Sequence, residues 1–143
     1  MQQLDYPFRH ILYMPVRFSD LDAMGHVNNA RYLTFYEEGR SQWFRDCAGM
    51  EAGSTAYPVI VARVELDFTL PILPGQNVYV ANRCSGFGEK SMTVKGLIAL
   101  DHKLEKIASR YTCTLVWYDY EKGVSAPIPQ SFKDRVMRYE SSQ

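Results

Sequence analysis

The fold depends first on residues 19–47, which have the sequence SDLDAMGHVNNARYLTFYEEGRSQWFRDC. The first eleven residues are polar and rich in turn formers. After them, apolar residues recur at helical spacing: Tyr32, Tyr36, Trp43 and Cys47, widened by Leu33 and Phe44. Asn28 or Asn29 suits the N-cap position, and Gly49 suits the end of the helix. The pattern predicts one long amphipathic helix over residues 29–47.

On both sides of this helix the hydrophobic period changes to two residues, which is typical of strands. The predicted strands are residues 11–18, 61–70, 77–86, 91–100 and 104–118, separated by turns rich in Pro, Gly and Asp. In the last strand one face is expected to hold Ile107, Tyr111, Cys113, Leu115 and Trp117. A short surface helix is predicted for residues 131–139.

The order of elements, one strand, a long helix and then four strands, belongs to the α+β class. Four consecutive strands with short links predict an antiparallel meander. The simplest way to bury the apolar stripe of the helix is for the sheet to curl around it. A free edge of such a small sheet favours pairing with another chain, so a dimer formed by strand pairing is expected.

Composition limits the function. The chain has 143 residues without an internal repeat, so a single domain over residues 1–143 is expected. Sixteen basic residues balance sixteen acidic ones, and the absence of a basic block argues against nucleic-acid binding. The absence of a long apolar run and of a secretory signal argues against a membrane protein. Three widely spaced cysteines favour a reducing, cytoplasmic setting over a disulfide scaffold or zinc finger.

The loop before the predicted helix carries residues suited to acyl-transfer chemistry. It holds Asp20, Asp22, Gly25 and His26 directly before a helix N-terminus. Such a terminus presents unpaired N–H groups and partial positive charge, which suit a carbonyl oxygen that becomes negative. A nearby carboxylate could attack the same carbonyl carbon or activate a water molecule. A glycine lets the loop fold close to a bound ligand.

The same residues also allow structural roles. Asp20 and Asp22 could cap turns, and His26 could be a hydrogen-bonded structural histidine. A D-x-D-x3-H cluster could hold a metal, but no further ligand is clustered with it, so no metal and no other cofactor is expected. Glu37 and Glu38 are expected on a solvated face or at a subunit interface. The three cysteines occupy core-like positions and are interpreted as packing residues.

Two segments resemble a known family. Residues 18–40, FSDLDAMGHVNNARYLTFYEEGR, resemble the signature segment of the hotdog-fold acyl-CoA thioesterases of the 4-hydroxybenzoyl-CoA thioesterase-like superfamily. The HVNNARYL motif, the following Glu-Glu pair and Arg40 are most similar to the bacterial long-chain acyl-CoA branch. The HVNN motif also resembles plant acyl-ACP thioesterases. Residues 59–80, VIVARVELDFTLPILPGQNVYV, resemble the family's long second strand and the turn after it.

The resemblance implies a fold and an assembly. The fold is a hotdog: a five-stranded antiparallel sheet wrapped around a long central helix. Such domains form a homodimer through strand pairing, often a homotetramer, with active sites at the dimer interface. The implied activity is hydrolysis of an acyl-CoA to a free carboxylic acid and CoA, with a role in fatty acid metabolism.

The resemblance also assigns residues. The catalytic acid falls on Asp22, and the helix-start amide that polarises the thioester carbonyl falls at Asn29. In the acyl-ACP branch the histidine of HVNN, here His26, is catalytic. That branch has Asn where this chain has Met24, so His26 could orient water or only shape the pocket. The remaining expected substrate-binding residues are Gly25, Val27, Asn28 and Tyr32.

The sequence is also compatible with three other functions. The carrier could be acyl carrier protein in place of CoA. The chain could bind an acyl ligand without turning it over. A hydratase of the same fold is a third alternative, although the Asp/His motif of those enzymes is not matched here. Acyl chain length, and dimer versus tetramer, depend on side-chain facing that the sequence does not fix.

Overall fold

The computed structural model describes residues 2–4, 7–50 and 58–142. Residues 2 and 3 are described by their backbone alone. The helices are α1 (Asn29–Ala48) and α2 (Gln130–Ser141). The strands are β1 (Gln2–Gln3), β2 (His10–Pro15), β3 (Val59–Phe68), β4 (Asn77–Phe87), β5 (Ser91–Ala99), β6 (Ile107–Asp119) and β7 (Val124–Ser125). Among the described residues, no helix is long and apolar enough to cross a membrane.

Helix α1 begins and ends where the sequence predicts, to within one residue. The Asn28 side chain accepts a hydrogen bond from the Ala30 N–H at 2.9 Å, which caps the helix N-terminus. At the other end Gly49 takes a left-handed φ of 67°, and its N–H donates to the Arg45 carbonyl at 3.0 Å. This glycine cap ends the helix.

The five long strands form one antiparallel sheet in the order β2-β4-β5-β6-β3, and β1 pairs with β4 beyond β2. The predicted four-strand meander is therefore wrong. Only β4, β5 and β6 follow one another, whereas β3 pairs with β6 at the far edge. Eight residues connect β3 to β4, which is enough to cross three strand spacings of about 4.8 Å each. The connection crosses the end of the sheet close to the start of α1.

The concave face of the sheet buries the apolar stripe of α1. Tyr36, Trp43 and Phe44 are almost fully buried against side chains of β4, β5 and β6. Helix α2 covers one end of this core, where the ring of Phe132 lies 4.9 Å from that of Trp117. All three cysteines are free and buried, in agreement with their interpretation as packing residues.

Two strand ends differ from the sequence prediction by three residues, and one side chain lies on a different face of the sheet from the one predicted. The first long strand ends at Pro15, because residues 18–20 form a 3-10 turn. Strand β6 begins at Ile107 and not at residue 104, because the Asp101 carboxylate holds a turn by accepting three backbone N–H groups. A register shift between β5 and β6 follows Ile98, so Ile107 packs on the outer face and not beside Tyr111.

Candidate active site

Asp20 closes the loop before α1. Its side chain is fully buried and accepts hydrogen bonds from the Arg17 backbone N–H at 2.8 Å and from the Arg17 guanidinium at 3.3 Å. Its carbonyl oxygen accepts from the Asn28 N–H at 2.9 Å. Because a buried carboxylate needs such partners, Asp20 is a structural residue of the loop. The turn-capping interpretation therefore holds for this acid.

Asp22 and His26 face each other across a tight turn. The Asp22 N–H donates to the His26 carbonyl at 3.0 Å, and the Asp22 Oδ1 accepts from the Met24 N–H at 2.9 Å. Gly25 completes the turn with a φ of 85°, a conformation with little steric cost only for glycine. The His26 Nδ1 lies 3.9 Å from the Asp22 Oδ1, which is too long for a hydrogen bond but close enough for the charges to interact.

The start of α1 lies next to this turn. The Val27 N–H donates to the Ile72 carbonyl at 2.9 Å, which ties the loop to the connection between β3 and β4. Asn28 caps the helix through its side chain, and its carbonyl accepts from the Arg31 N–H at 2.9 Å. Among the described residues, no partner accepts from the N–H of Asn29, the first helical residue. This N–H is a free donor at the positive end of the helix.

A cavity of about 190 Å³ opens at this helix end. The loop and α1 contribute His26, Val27, Asn29 and Tyr32. The end of β3 and the chain after it contribute Phe68, Thr69, Leu70 and Pro71. The Tyr32 hydroxyl donates to the Leu70 carbonyl at 3.3 Å, and burial raises the pKa of Tyr32. Tyr32 is therefore neutral at physiological pH and fixes one wall of the cavity.

Four of the predicted site residues thus line one cavity: His26, Val27, Asn29 and Tyr32. Asp22, Gly25 and Asn28 lie in the adjoining loop and do not line it in the single chain. Residues 68–71 were not among the predicted site residues. Their signal in the sequence was weak: a strand that ends shortly before Pro71, with nothing to show that the chain then passes the helix start.

A second cavity, of about 180 Å³, lies farther along the same side of α1. Its apolar wall is made of Phe44, Val59, Val61 and Leu115. Its polar lining is Glu37, Arg40 and Ser41. The Arg40 Nη1 donates to the Tyr111 hydroxyl at 3.0 Å. The side chains of Glu37 and Glu38 are exposed in the single chain. The sequence predicted that they lie on a solvated face or at a subunit interface.

Other chemistries find less support in the described residues. Within residues 2–4, 7–50 and 58–142, no group of three or more His, Cys, Asp or Glu side chains could hold a metal ion. Burial raises the pKa of the Cys47, Cys84 and Cys113 thiols. A thiol with a raised pKa is a poor nucleophile near neutral pH. The acid and the helix terminus beside the first cavity are the groups suited to chemistry.

Comparisons with known proteins show that the chain is similar to thioesterases. A thioesterase from Thermus thermophilus, solved in complex with coenzyme A and Zn, shares 33% identity and a TM-score of 0.81, covering 95% of this chain and 98% of its own. A 1,4-dihydroxy-2-naphthoyl-CoA thioesterase from Synechocystis shares the fold at 15% identity, with a TM-score of 0.80 over 93% of this chain and 98% of its own. An uncharacterised Bacillus subtilis protein is 27% identical over 79 residues, which are 55% of this chain and 53% of that protein.

The family assignment rests on most of the chain. Residues 16–136 match the sequence profile of the thioesterase-like superfamily, a range that includes the loop, α1, the long strands from β3 to β6 and the start of α2. The antiparallel sheet around a long helix is the hotdog fold that the resemblance implies. The chain therefore belongs to the thioesterase-like superfamily of thioester hydrolases.

Proposed function

We propose that this protein is an acyl-CoA thioesterase, which hydrolyses an acyl-CoA to a free carboxylic acid and CoA. The observation that carries the proposal is the free Asn29 N–H at the positive end of α1, in a cavity that His26 also lines and that Asp22 adjoins. The Thermus thermophilus thioesterase solved with coenzyme A supports CoA as the carrier. Asp22, His26 and Asn29 are the proposed catalytic residues.

The proposed reaction uses the helix terminus first. The thioester carbonyl oxygen accepts a hydrogen bond from the Asn29 N–H, which stabilises the negative charge that develops there. The Asp22 carboxylate takes a proton from a water molecule as the water oxygen bonds to the carbonyl carbon. The carbon–sulfur bond then breaks and the CoA thiolate leaves, taking up a proton to become the thiol. Direct attack by Asp22 would form an anhydride that water hydrolyses to the same products.

The remaining predicted residues support these groups. His26 lies close enough to Asp22 to orient the attacking water. Gly25 allows the turn between them, and Val27 and Asn28 fix the loop and the helix start through their backbone contacts. Tyr32 forms the wall against which the thioester packs.

We also propose that the protein works as a homodimer paired through β3. Among the described residues the sheet has two free edges, and the strands at these edges differ in length: β2 has six residues and ends at Pro15, whereas β3 has ten residues. On β3 the side chains of Ile60, Val61, Val64 and Phe68 are 38% to 50% exposed. A long, apolar, unpaired edge is a template for another strand. A twofold axis pairs identical strands antiparallel, so a second copy of β3 is the matching partner.

The experiment that tests the catalytic proposal measures free thiol release from a panel of acyl-CoAs, short to long and one aromatic. Asp22→Asn should lower kcat by about 10²–10⁴-fold, because the group that accepts the proton is lost. Asp134→Asn, at an exposed acid of α2, is the matched control and should keep wild-type turnover.

An Asp22→Asn enzyme with wild-type turnover, shown by mass spectrometry not to have deamidated, would refute the role of Asp22. If the wild-type protein releases no thiol from any acyl-CoA, the same assay with acyl carrier protein thioesters separates a change of carrier from a non-catalytic acyl-binding role.

A further inference from the structure

The buried carboxylate of Asp20 connects the two ends of the loop before α1. Its side chain has no exposed surface, and its Oδ2 accepts a hydrogen bond from the Arg17 backbone N–H at 2.8 Å. Its Oδ1 accepts from the Arg17 Nη2 at 3.3 Å and forms an ion pair with the Arg31 Nε at 4.0 Å. Arg17 precedes the loop, whereas Arg31 lies in the first turn of α1. One carboxylate therefore binds the chain on both sides of the loop.

The loop itself is a small hairpin with Asp20 at its base. The Asp20 carbonyl accepts from the Asn28 N–H at 2.9 Å, and the next pair of residues forms a β-bridge. Asp22 follows at the turn of the hairpin, and Asn29 comes directly after Asn28. The contacts at the base therefore set where the Asp22 carboxylate and the Asn29 N–H lie relative to each other.

The negative charge of Asp20 has to be neutralised for the proposed reaction. A negative charge near the first turn of α1 opposes the negative charge that develops on the thioester oxygen at the same helix end. The guanidinium groups of Arg17 and Arg31 both approach the Asp20 carboxylate. Glu38 is a further acid whose charge acts on Arg17. Neither arginine lines the cavity at Asn29, so they neutralise the buried acid and leave that cavity open.

We propose that Asp20 is a positioning residue for thioester hydrolysis and that Arg17 neutralises its charge, on the basis of the thioesterase function proposed above. Asp20 holds the hairpin so that the Asn29 N–H and the Asp22 carboxylate reach the same carbonyl group. Arg17 cancels a charge that would otherwise oppose the developing oxyanion. Both residues act through the catalytic groups, since neither side chain lines the cavity.

Positioning of this kind affects kcat more than KM. A displacement of about 1 Å at a catalytic group can cost about 100-fold in rate. The affinity for the substrate depends on contacts within the cavity, to which Asp20 does not contribute. A residue that only stabilises the fold would lower the melting temperature and leave the kcat of the folded protein unchanged.

The first test measures kcat and KM for the acyl-CoA that the wild-type protein hydrolyses fastest. Asp20→Ala should lower kcat by about 100-fold, with KM within about 3-fold of wild type. Asp20→Asn keeps an oxygen that can accept from the Arg17 N–H, so it should restore kcat to within about 3-fold of wild type. Asp20→Ser, with one shorter acceptor, replaces Asp20→Ala if that variant does not fold, and should lower kcat by about 10-fold.

Glu140→Gln is the matched control for this test. Glu140 is also a buried acid, with 2% of its surface exposed, but it lies on α2 and outside the loop. Glu140→Gln should therefore keep the wild-type kcat, whatever its effect on the melting temperature.

The second test separates charge from structure. Arg17→Met keeps the backbone N–H that binds Asp20 and removes only the guanidinium, and kcat should fall by about 10-fold. Arg17→Met combined with Asp20→Asn removes both charges, so the double variant should turn over faster than Arg17→Met alone. If the two side chains formed only a structural ion pair, the double variant would be no faster than the slower single variant.

The outcomes separate this inference from the proposed function. Absence of thiol release from every CoA and acyl carrier protein ester by the wild-type protein overturns the proposed function and this inference with it. If the wild-type protein is active and the Asp20 variants keep its kcat, or raise KM instead, the positioning role is refuted and the thioesterase function stands. A double variant that is no faster than Arg17→Met refutes the neutralising role of Arg17.

Discussion

Two acids and one glycine of the loop before α1 have different roles. Asp20 and Asp22 are two positions apart and chemically identical, yet Asp20 is fully buried and hydrogen-bonded to Arg17, whereas the Asp22 side chain is 25% exposed beside His26. From their spacing in the sequence, either Asp20 or Asp22 could cap a turn. The family resemblance singled out Asp22, and burial in the structure gives Asp20 the structural role. Gly25 provides the turn that places Asp22 across from His26.

Gly25→Ala tests whether that turn positions the catalytic groups. A Cβ at Gly25 would meet no heavy atom within 4 Å, so the cost is the left-handed φ itself, about 1–2 kcal/mol. Gly75, with a φ of 81° and equally open space, is a matched control. We expect similar losses of stability in both variants by thermal unfolding. In thiol release only Gly25→Ala should lose kcat, by up to about 100-fold, because Asp22 moves. Equal kcat in both variants would argue against a positioning role.

At the scale of elements, α1 approaches the sheet closely at Gly39. A Cβ there would lie 2.7 Å from the Val80 Cγ1 and 2.6 Å from the Asn82 Nδ2. Glycine is normally unfavourable inside a helix, so its presence reflects this close approach. The helical pattern predicted α1 well, but it could not show which residue of the helix touches the sheet.

Gly39→Ala should therefore destabilise the protein, although alanine is the better helix former. We expect a net loss of about 1–3 kcal/mol in the free energy of unfolding, because the added methyl group overpacks the contact with Val80. Urea denaturation measures this loss. Glu38→Ala, at an exposed position of the same helix, should change the free energy by less than about 0.5 kcal/mol. A stabilised Gly39→Ala protein would mean that the sheet yields at this point.

Helix α2 is bound to α1 and β4 through a buried acid, Glu140. The Glu140 Oε1 accepts from the Trp43 Nε1 at 2.8 Å and from the Cys84 N–H at 2.9 Å, while its Oε2 has no partner among the described residues. Burial raises the pKa of Glu140, an effect that these hydrogen bonds only partly offset. A raised pKa in the folded state means that protonation of Glu140 stabilises the fold. This stabilisation is present at acid pH and is lost as the pH rises through the folded-state pKa.

Glu140→Gln should remove this pH dependence, because glutamine keeps the accepting oxygen and cannot ionise. We expect the melting temperature of the variant, relative to wild type, to rise as the pH increases from below about 4.5, the ordinary value for glutamate, to neutral. Thermal unfolding across that range measures the difference. A difference that stays constant or shrinks with increasing pH would contradict the buried-charge explanation.

At the scale of the whole molecule, the free β3 edge connects assembly and activity. Val59 and Val61 of β3 line the second cavity, Phe68 lines the first, and the apolar side chains of this strand are partly exposed in the single chain. Pairing with a second copy would cover these side chains and complete the proposed active sites. Assembly and turnover should therefore fail together.

Val64→Lys tests this link, because it places a charge on the proposed interface. We expect a monomer by light scattering and a matching loss of thiol release, since a buried unpaired lysine is strongly unfavourable. Ile11→Lys, at the opposite sheet edge, is the control: Ile11 is 40% exposed and Val64 38%. The Ile11→Lys protein should stay dimeric and active. A dimeric, active Val64→Lys protein would place the interface elsewhere.

The sequence by itself determined the elements and pointed to the candidate residues of the loop. Hydrophobic period is a local property, so it predicted α1 to within one residue and the strands to within a few. The motif around Asp22 and Asn29 carried the family resemblance. Strand order, the second cavity around Arg40 and the packing of Ile107 were decided by the tertiary structure. The reason is physical: a period of two shows that a strand has two faces, but its pairing partner depends on long-range contacts, and one bulge reverses which face each later residue shows.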